Sequence, residues 1–357
     1  MRNQIKLCSI ACTLIFIGFG LISCEKEEIN TRLGEPISEE NIFSYEDTVY
    51  CPNIIDYRNE IIISNWEVQK RNLHVTDIDF FDESFGVMSS TSSVYITHDG
   101  GNNWLYQPTS LNQSFFKVAT FGIDKFYLSR IGIHQTTDGG ENYERVGIEE
   151  AGGSIFNFYF FDSTNAIISH GGSIKITQNR GQSWIKKEGI EGNLIQFLDN
   201  KIGYIAGGYS GSGIAGGFFS YGEIFKTTDG EESWSRLNVN PLEITAMYFT
   251  DANTGIFTDF NGIVYQTIDG GETWQIINDA LCGYGMQDMI FTDENTGYLA
   301  SIDGIIFKTQ DGGHTWKVDY YSGEKDSYGN HLGTWTLAKT PNNKVYVAGE
   351  IVMKRLD

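Results

Sequence analysis

Proline and cysteine are both scarce here, five of each in 357 residues, and no stretch beyond the N-terminus keeps the apolar period of an amphipathic helix. Without that period, neither a helix bundle nor an alternation of helices and strands is expected. The cysteines show no CxxC pair and no Cys/His spacing, and His74, His98, His134, His170, His314 and His331 are scattered. Neither a metal site nor a cofactor is expected from such a pattern. Positive charge is short as well: 25 lysines and arginines stand against 46 aspartates and glutamates, a formal net charge of −21. A surface this acidic repels phosphate backbones and anionic lipid, which excludes nucleic acid as a partner. What the chain does hold is aromatic residues, at 14%, and 41 glycines. Short alternating apolar runs between Gly, Asn and Asp turns complete an all-β composition with material for a sizeable core.

The first 23 residues read as a targeting segment, outside the fold. Arg2 and Lys6 precede LCSIACTLIFIGFGLIS, an apolar run too short and wrongly flanked to span a bilayer. The run ends LISC, which resembles the lipobox of bacterial lipoproteins; an uncleaved anchor or an ordinary signal peptide is the alternative. The resemblance implies that Cys24 is the first mature residue and is lipidated, tying the chain to the outer membrane of a cell envelope. EKEE directly behind it resembles the surface-export signal of Bacteroidota lipoproteins and implies an outward-facing position. Cleavage would leave 23 basic and 46 acidic residues, a charge of −23. Residues 24–57 are acidic and unpatterned, and read as a tether. Apart from Cys24, the mature chain keeps Cys51 and Cys282, either a disulfide or two unpaired core residues.

The folded part, residues 58–357, is dominated by a repeat. THDGGNNW (97–104), TTDGGENY (136–143), TQNRGQSW (177–184), TTDGEESW (227–234), TIDGGETW (267–274) and TQDGGHTW (309–316) are near-copies. Their third positions are spaced by 39, 41, 50, 40 and 42 residues. A period near forty with β patterning is the signature of propeller blades. Each unit divides into four strands, with the repeated motif as the hairpin between the third and fourth. After the last copy only TWTLAKT, NNKVYVAG and EIVMKR remain, three strands of a further blade. At the other end IIISNWEVQK (61–70) stands alone and reads as the missing fourth strand. The expectation is therefore an all-β, seven-bladed propeller of four-stranded blades, its last blade closed by the N-terminal strand at residues 61–70. Closure of this kind leaves no exposed ring edge, and a single closed ring is expected to be a monomer.

The motif resembles the Asp-box, or BNR repeat: Ser or Thr, x, Asp, x, Gly, x, x, Trp. Asp99, Asp138, Asp229, Asp269 and Asp311 keep the acid, and Trp104, Trp234, Trp274 and Trp316 the tryptophan; Tyr143, Asn179 and Glu231 are the departures. A short Asp can accept hydrogen bonds from its own loop, while Trp fills space between blades, so a structural role is expected. An EF-hand-like calcium loop would need carboxylates at several alternate positions. Over about 300 residues the chain is similar to the seven-bladed Asp-box propellers of the photosystem II assembly and stability factor family. That resemblance implies a non-enzymatic propeller that holds another protein. The photosynthetic members are thought to use a basic patch, which this acidic chain does not display. Sialidases also carry Asp-boxes, but their Arg-Ile-Pro segment is missing, and only Arg130 falls where a carboxylate-binding arginine could sit.

A ligand is expected on the disc face opposite the boxes, where strands two and three join and blade follows blade. Three stretches there are unusual. GGYSGSGIAGGFFSYGE (207–223) is an insertion in the fourth blade carrying Tyr209, Phe218, Phe219 and Tyr221. YYSGEKDSYGNHLG (320–333) carries Tyr320, Tyr321, Tyr328 and His331, and LCGYGMQ adds Tyr284. Tyrosine suits protein hot spots and sugar stacking alike, so the partner is read as a protein or a glycan. Asp77, Lys117, Asn157, Asp288 and Trp335 share one position near the start of the innermost strands and would ring the channel mouth. They read either as a polar channel lining or, through Asp77 and Asp288, as the acid and base of a carbohydrate-active enzyme. The favoured function is a surface-tethered, non-enzymatic binding module.

Overall fold

The computed structural model describes residues 57–59, 61–111, 113–146, 154–212, 218–325 and 329–356. The expected targeting segment, Cys24, Cys51, the expected tether up to residue 56 and Tyr328 lie outside the described residues, as do the side chains of Phe218, Phe219 and Trp335.

Seven separate four-stranded antiparallel sheets succeed one another along the chain. Strand β1 (Trp66–Arg71) precedes blade one, which is β2 to β5 (Asp77–Phe80, Gly86–Ser89, Ser93–Thr97, Leu105–Pro108). Blade two is β6 to β9 (Lys117–Gly122, Lys125–Arg130, Gly132–Thr136, Glu144–Val146) and blade three β10 to β13 (Ile155–Phe160, Ala166–His170, Ser173–Thr177, Ile185–Glu191). Blade four is β14 to β17 (Leu194–Phe197, Gly203–Ser212, Phe218–Thr227, Ser235–Arg236). Blade five is β18 to β21 (Ile244–Phe249, Gly255–Asp259, Val264–Thr267, Gln275–Asn278) and blade six β22 to β25 (Met286–Phe291, Gly297–Ser301, Ile306–Thr309, Lys317–Tyr320). Blade seven combines β26 to β28 (Thr334–Lys339, Val345–Gly349, Ile351–Arg355) with β1, in the order β1-β28-β27-β26.

The apolar side chains form seven buried clusters, and each joins two neighbouring blades. Burial follows position along each blade. The second strands of blades five, six and seven are buried throughout, whereas the fourth strand of blade one is mostly exposed. A strand sandwiched by blades on both faces needs a near-continuous apolar run, and GIFTD, GYLAS and VYVAG supply one. The glycine opening several of these strands has a steric cause. Phe80, Phe249 and Phe291 lie directly opposite Gly86, Gly255 and Gly297. A Cβ on Gly255 would meet the Phe249 ring at 2.3 Å. The ring occupies the volume that a side chain would need, and the box tryptophan of the same blade packs edge-on against it, Trp274 at 6.0 Å.

Ring closure is as expected in kind but shifted in extent. The closing strand runs from Trp66 to Arg71, paired with β28 from Trp66↔Arg355 to Arg71↔Ile351. Residues 61–65 are not part of it. Ile62 instead forms an isolated antiparallel bridge with Tyr321 of blade six, with both backbone hydrogen bonds made, at 2.9 and 2.7 Å. Asp319 of blade six locks the seam. It pairs with the buried Arg355 guanidinium, accepts the Trp66 indole N–H at 2.8 Å and takes an amide hydrogen bond from Asn65 at 3.2 Å. The guanidinium also lies over the Trp66 and Tyr298 rings, at 5.8 and 5.3 Å. Removing one partner of such a pair leaves a charge buried without compensation. Asp319→Ala is therefore expected to cost about 3–5 kcal/mol in chemical denaturation. Glu324→Gln, which breaks the exposed pair with Arg71, is expected to cost under about 1 kcal/mol.

Candidate functional site

The boxes share one plan, although no bond from Glu231 N–H to the Thr227 hydroxyl completes it in blade four. The threonine hydroxyl donates to the box acid and accepts from the backbone four residues on; in blade five Thr267 Oγ1 reaches Asp269 Oδ1 at 2.7 Å and takes the Gly271 N–H at 2.8 Å. Asp269 then accepts the Thr273 N–H at 2.9 Å and its hydroxyl at 2.6 Å. Asp99, Asp138, Asp229 and Asp311 repeat the pattern, and Asn179 substitutes for the acid by accepting the Ser183 N–H at 2.9 Å. These bonds, from Thr273 first, hold the Asp269 carboxyl down at about 2. Trp104, Trp234, Trp274 and Trp316 face the neighbouring blade, each in an interblade cluster. The boxes are turn-builders.

A second carboxylate device recurs in the turns between the first and second strands, read from sequence only as turns. Asp82, Asp162, Asp199, Asp251 and Asp293 each accept two backbone N–H groups of their own turn, as Asp162 does from Thr164 at 2.6 Å and Asn165 at 2.8 Å. The recurrence of FDES, FDST, LDNK, TDAN and TDEN ahead of five of the seven second strands is the available signal.

Of the five residues expected at the channel mouth, Asp77, Lys117 and Asp288 come together. Asp77 is 3% exposed, and Lys117 Nζ lies 3.2 Å from its carboxylate. Thr336 Oγ1 of blade seven reaches Asp77 Oδ1 at 3.1 Å and Asp288 Oδ2 at 3.3 Å, so blade seven joins the two acids through one hydroxyl. Both carboxylates also bond the next blade: Val118 N–H donates to Asp77 and Leu337 N–H to Asp288, each at 2.8 Å. Asp79 takes the Thr120 N–H at 2.7 Å, and Gln196 takes the Phe249 N–H at 2.8 Å. Asn157 makes a weaker link, donating to the Asn193 carbonyl at 3.3 Å. These side chains thus satisfy backbone groups on the free edges of the first strands and stitch blade to blade. Burial pushes the Asp77 carboxyl up and that of Asp288 up to about 6, against the pull of Lys117 and of the backbone donors. For Lys117 burial acts downward, but Asp77, Asp288 and Asp79 outweigh it and raise the ammonium.

The tyrosines divide. Tyr284, Tyr320 and Tyr321, expected to offer ring faces to a ligand, are 2%, 1% and 4% exposed and belong to the core. Tyr284 is covered by the segment ahead of the propeller: Tyr57 donates its N–H to the Tyr284 hydroxyl at 2.8 Å and packs its ring between Tyr284 and Phe307. Tyr321 turns inward to His331, hydroxyl to Nδ1, at 3.2 Å. Cys282, beside Tyr284, is buried and disulfide-bonded. Tyr209 and Tyr221 remain at the surface, and the insertion that carries them is no loop. β15 and β16 are paired residue by residue from Gly203↔Thr227 to Ser212↔Phe218, an arm that continues the blade-four hairpin on the face opposite the boxes.

Seven four-stranded blades, six box hairpins and a seam shared by the chain ends define an Asp-box β-propeller. Residues 59–349 match the family described as photosynthesis system II assembly factor YCF48, and the chain belongs to that family. No curated protein matches it. Among solved structures, "YCF48 bound to D1 peptide" superposes with a TM-score of 0.63 at 19% identity, covering 85% of this chain and 97% of that one. YCF48 from Cyanidioschyzon merolae gives 0.58 at 19%, covering 82% and 98%. The GH74 xyloglucanase from Xanthomonas campestris gives 0.56 at 12% identity, covering 78% of this chain and 51% of that one. At these identities the likeness is one of fold.

Opposed acid environments give a pH prediction with two windows. Asp259, wholly buried at the end of β19, is pushed by burial up to about 6, as Asp288 is, from the ordinary 3.8. A raised carboxyl binds its proton more tightly in the folded state, so this contribution is complete below the ordinary value and is lost as pH rises through about 6. Asp162 and Asp269, held at about 2, contribute above the ordinary value and lose it as pH falls through about 2. Urea denaturation of an Asp259→Asn/Asp288→Asn variant is expected to show a shallower decline in stability between about pH 4 and 6, Asp77 keeping its own share, with the fall at lower pH unchanged.

Proposed function

We propose that this chain is a non-enzymatic, lipid-anchored module of the cell envelope, monomeric, that holds a protein partner on the disc face opposite the Asp-boxes. Its membership in the assembly-factor family carries the reading, and a solved relative in that family is described with a bound peptide. Among the described residues, the blade-four arm departs from the repeat on that face and keeps Tyr209 exposed. Glycan binding through the same tyrosines is the second reading, because their rings and hydroxyls suit sugar stacking. Hydrolysis by Asp77 and Asp288 is the reading these contacts favour least, since both carboxylates hold backbone N–H groups of the next blade. The membrane link rests on the LISC segment and Cys24.

Crosslinking on intact cells followed by mass spectrometry is the test. The full chain is expected to recover a specific protein, a chain with residues 209–221 replaced by a two-residue turn to lose it, and Cys24→Ser to leave the membrane fraction. Glycan hydrolysis by the purified protein, with no specific partner recovered, would overturn the proposal.

A further inference from the structure

Beyond the blade, the arm is a two-stranded ribbon, and isolated ribbons are marginally stable. β14 pairs with β15 only as far as Ala206, and β17 pairs with β16 only at Phe225 and Lys226. The remainder is braced from one side by the chain leading into blade five. Gly222 N–H donates to the Pro241 carbonyl at 2.9 Å, and Glu243 N–H donates to the Ser220 hydroxyl at 2.9 Å. That hydroxyl in turn meets Ser210 Oγ across the ribbon at 2.6 Å. Gly208, at φ +149°, brings the strands so close that a Cβ would sit 1.9 Å from the Tyr221 carbonyl oxygen. The base of the ribbon is therefore held by hydrogen bonds from the chain leading into blade five. Its Tyr209 is 53% exposed and Tyr221 half-buried.

Three glutamates from three different elements surround this surface. Glu191 ends β13, Glu223 lies on β16 and Glu243 precedes β18. Their proximity is felt at the Tyr221 hydroxyl, which burial raises most and the charges of Glu191, Glu223 and Glu243 raise further. Arg236 offsets one of them, its Nε lying 2.8 Å from Glu223. The rim of the arm is therefore anionic with aromatic faces set into it. Carboxylates and tyrosine rings both attract ammonium and guanidinium groups, the rings through their quadrupole.

We propose that the blade-four arm is the docking element for a lysine- or arginine-bearing protein segment, received by Tyr209 and Tyr221 and held by Glu191, Glu223 and Glu243. This rests on the binding-module reading and specifies the chemistry of its partner. Because the whole chain is acidic, the experiment has to separate the arm from the general field. An Arg-Gly repeat peptide of about ten residues and its Glu-Gly counterpart are titrated against the full folded protein by fluorescence anisotropy, at low and physiological salt. The Arg peptide is expected to bind and the Glu peptide not to. Glu191→Gln/Glu243→Gln and Tyr209→Ala should each weaken binding about tenfold. Glu141→Gln/Glu272→Gln, an equal charge change within two Asp-boxes on the opposite face, should leave it within about twofold. Equal weakening by the two glutamate pairs, or no effect of Tyr209→Ala, overturns the arm as the site. Loss of the cellular partner on arm deletion without Arg-peptide binding would leave the binding module standing and remove only its cationic specificity.

Discussion

Everything in this molecule depends on the pairing of its two chain ends. The core is divided into seven layers between blades, so no blade can bury its faces except against both neighbours. If the ring opens at one interface, two apolar sheet faces meet water together. The β1–β28 ladder prevents this, and the Asp319–Arg355–Trp66 cluster ties both ends to blade six. A buried ion pair is a poor source of net stability but a strong source of specificity when either partner alone would be stranded. Its place at the seam, where the chain must choose one closing strand, suits that property.

Aspartate appears in this fold in contrasting settings, and its environment decides what it does. In the boxes and in the first turns of the blades it is exposed, saturated by its own loop's N–H groups and held strongly acidic, Asp162 and Asp269 at about 2. At the channel mouth Asp77 and Asp288 reach across to the next blade, and burial drives them the other way. The repeated residue with the look of a catalytic acid is a turn-builder, while the less regular ones stitch blades together. Among the described residues, the β15–β16 hairpin outgrows its blade, on a chain with a formal net charge of −21.

Much of the architecture was readable in the residues. Box spacing counted six blades, and the strands left over at the two termini supplied the seventh. Threonine, aspartate, glycine and tryptophan at fixed offsets specify a local turn, and local hydrogen bonding needs no knowledge of the rest of the chain. The end of the closing strand was missed because Ile61–Asn65 is as apolar as a strand. Its Ile62 is drawn instead to Tyr321, more than 250 positions away.

Sequence by itself determined the period, the fold class and which motif was structural, since each follows from patterns within about forty residues. Only the tertiary structure decided which aromatics face outward. Tyr284 and Tyr209 sit in equally glycine-rich stretches, yet one is roofed by Tyr57 and the other stands on a ribbon clear of its blade. Burial is a property of what arrives from elsewhere in the chain, and the same holds for Asp77 and Asp288, joined by one threonine of the blade between them.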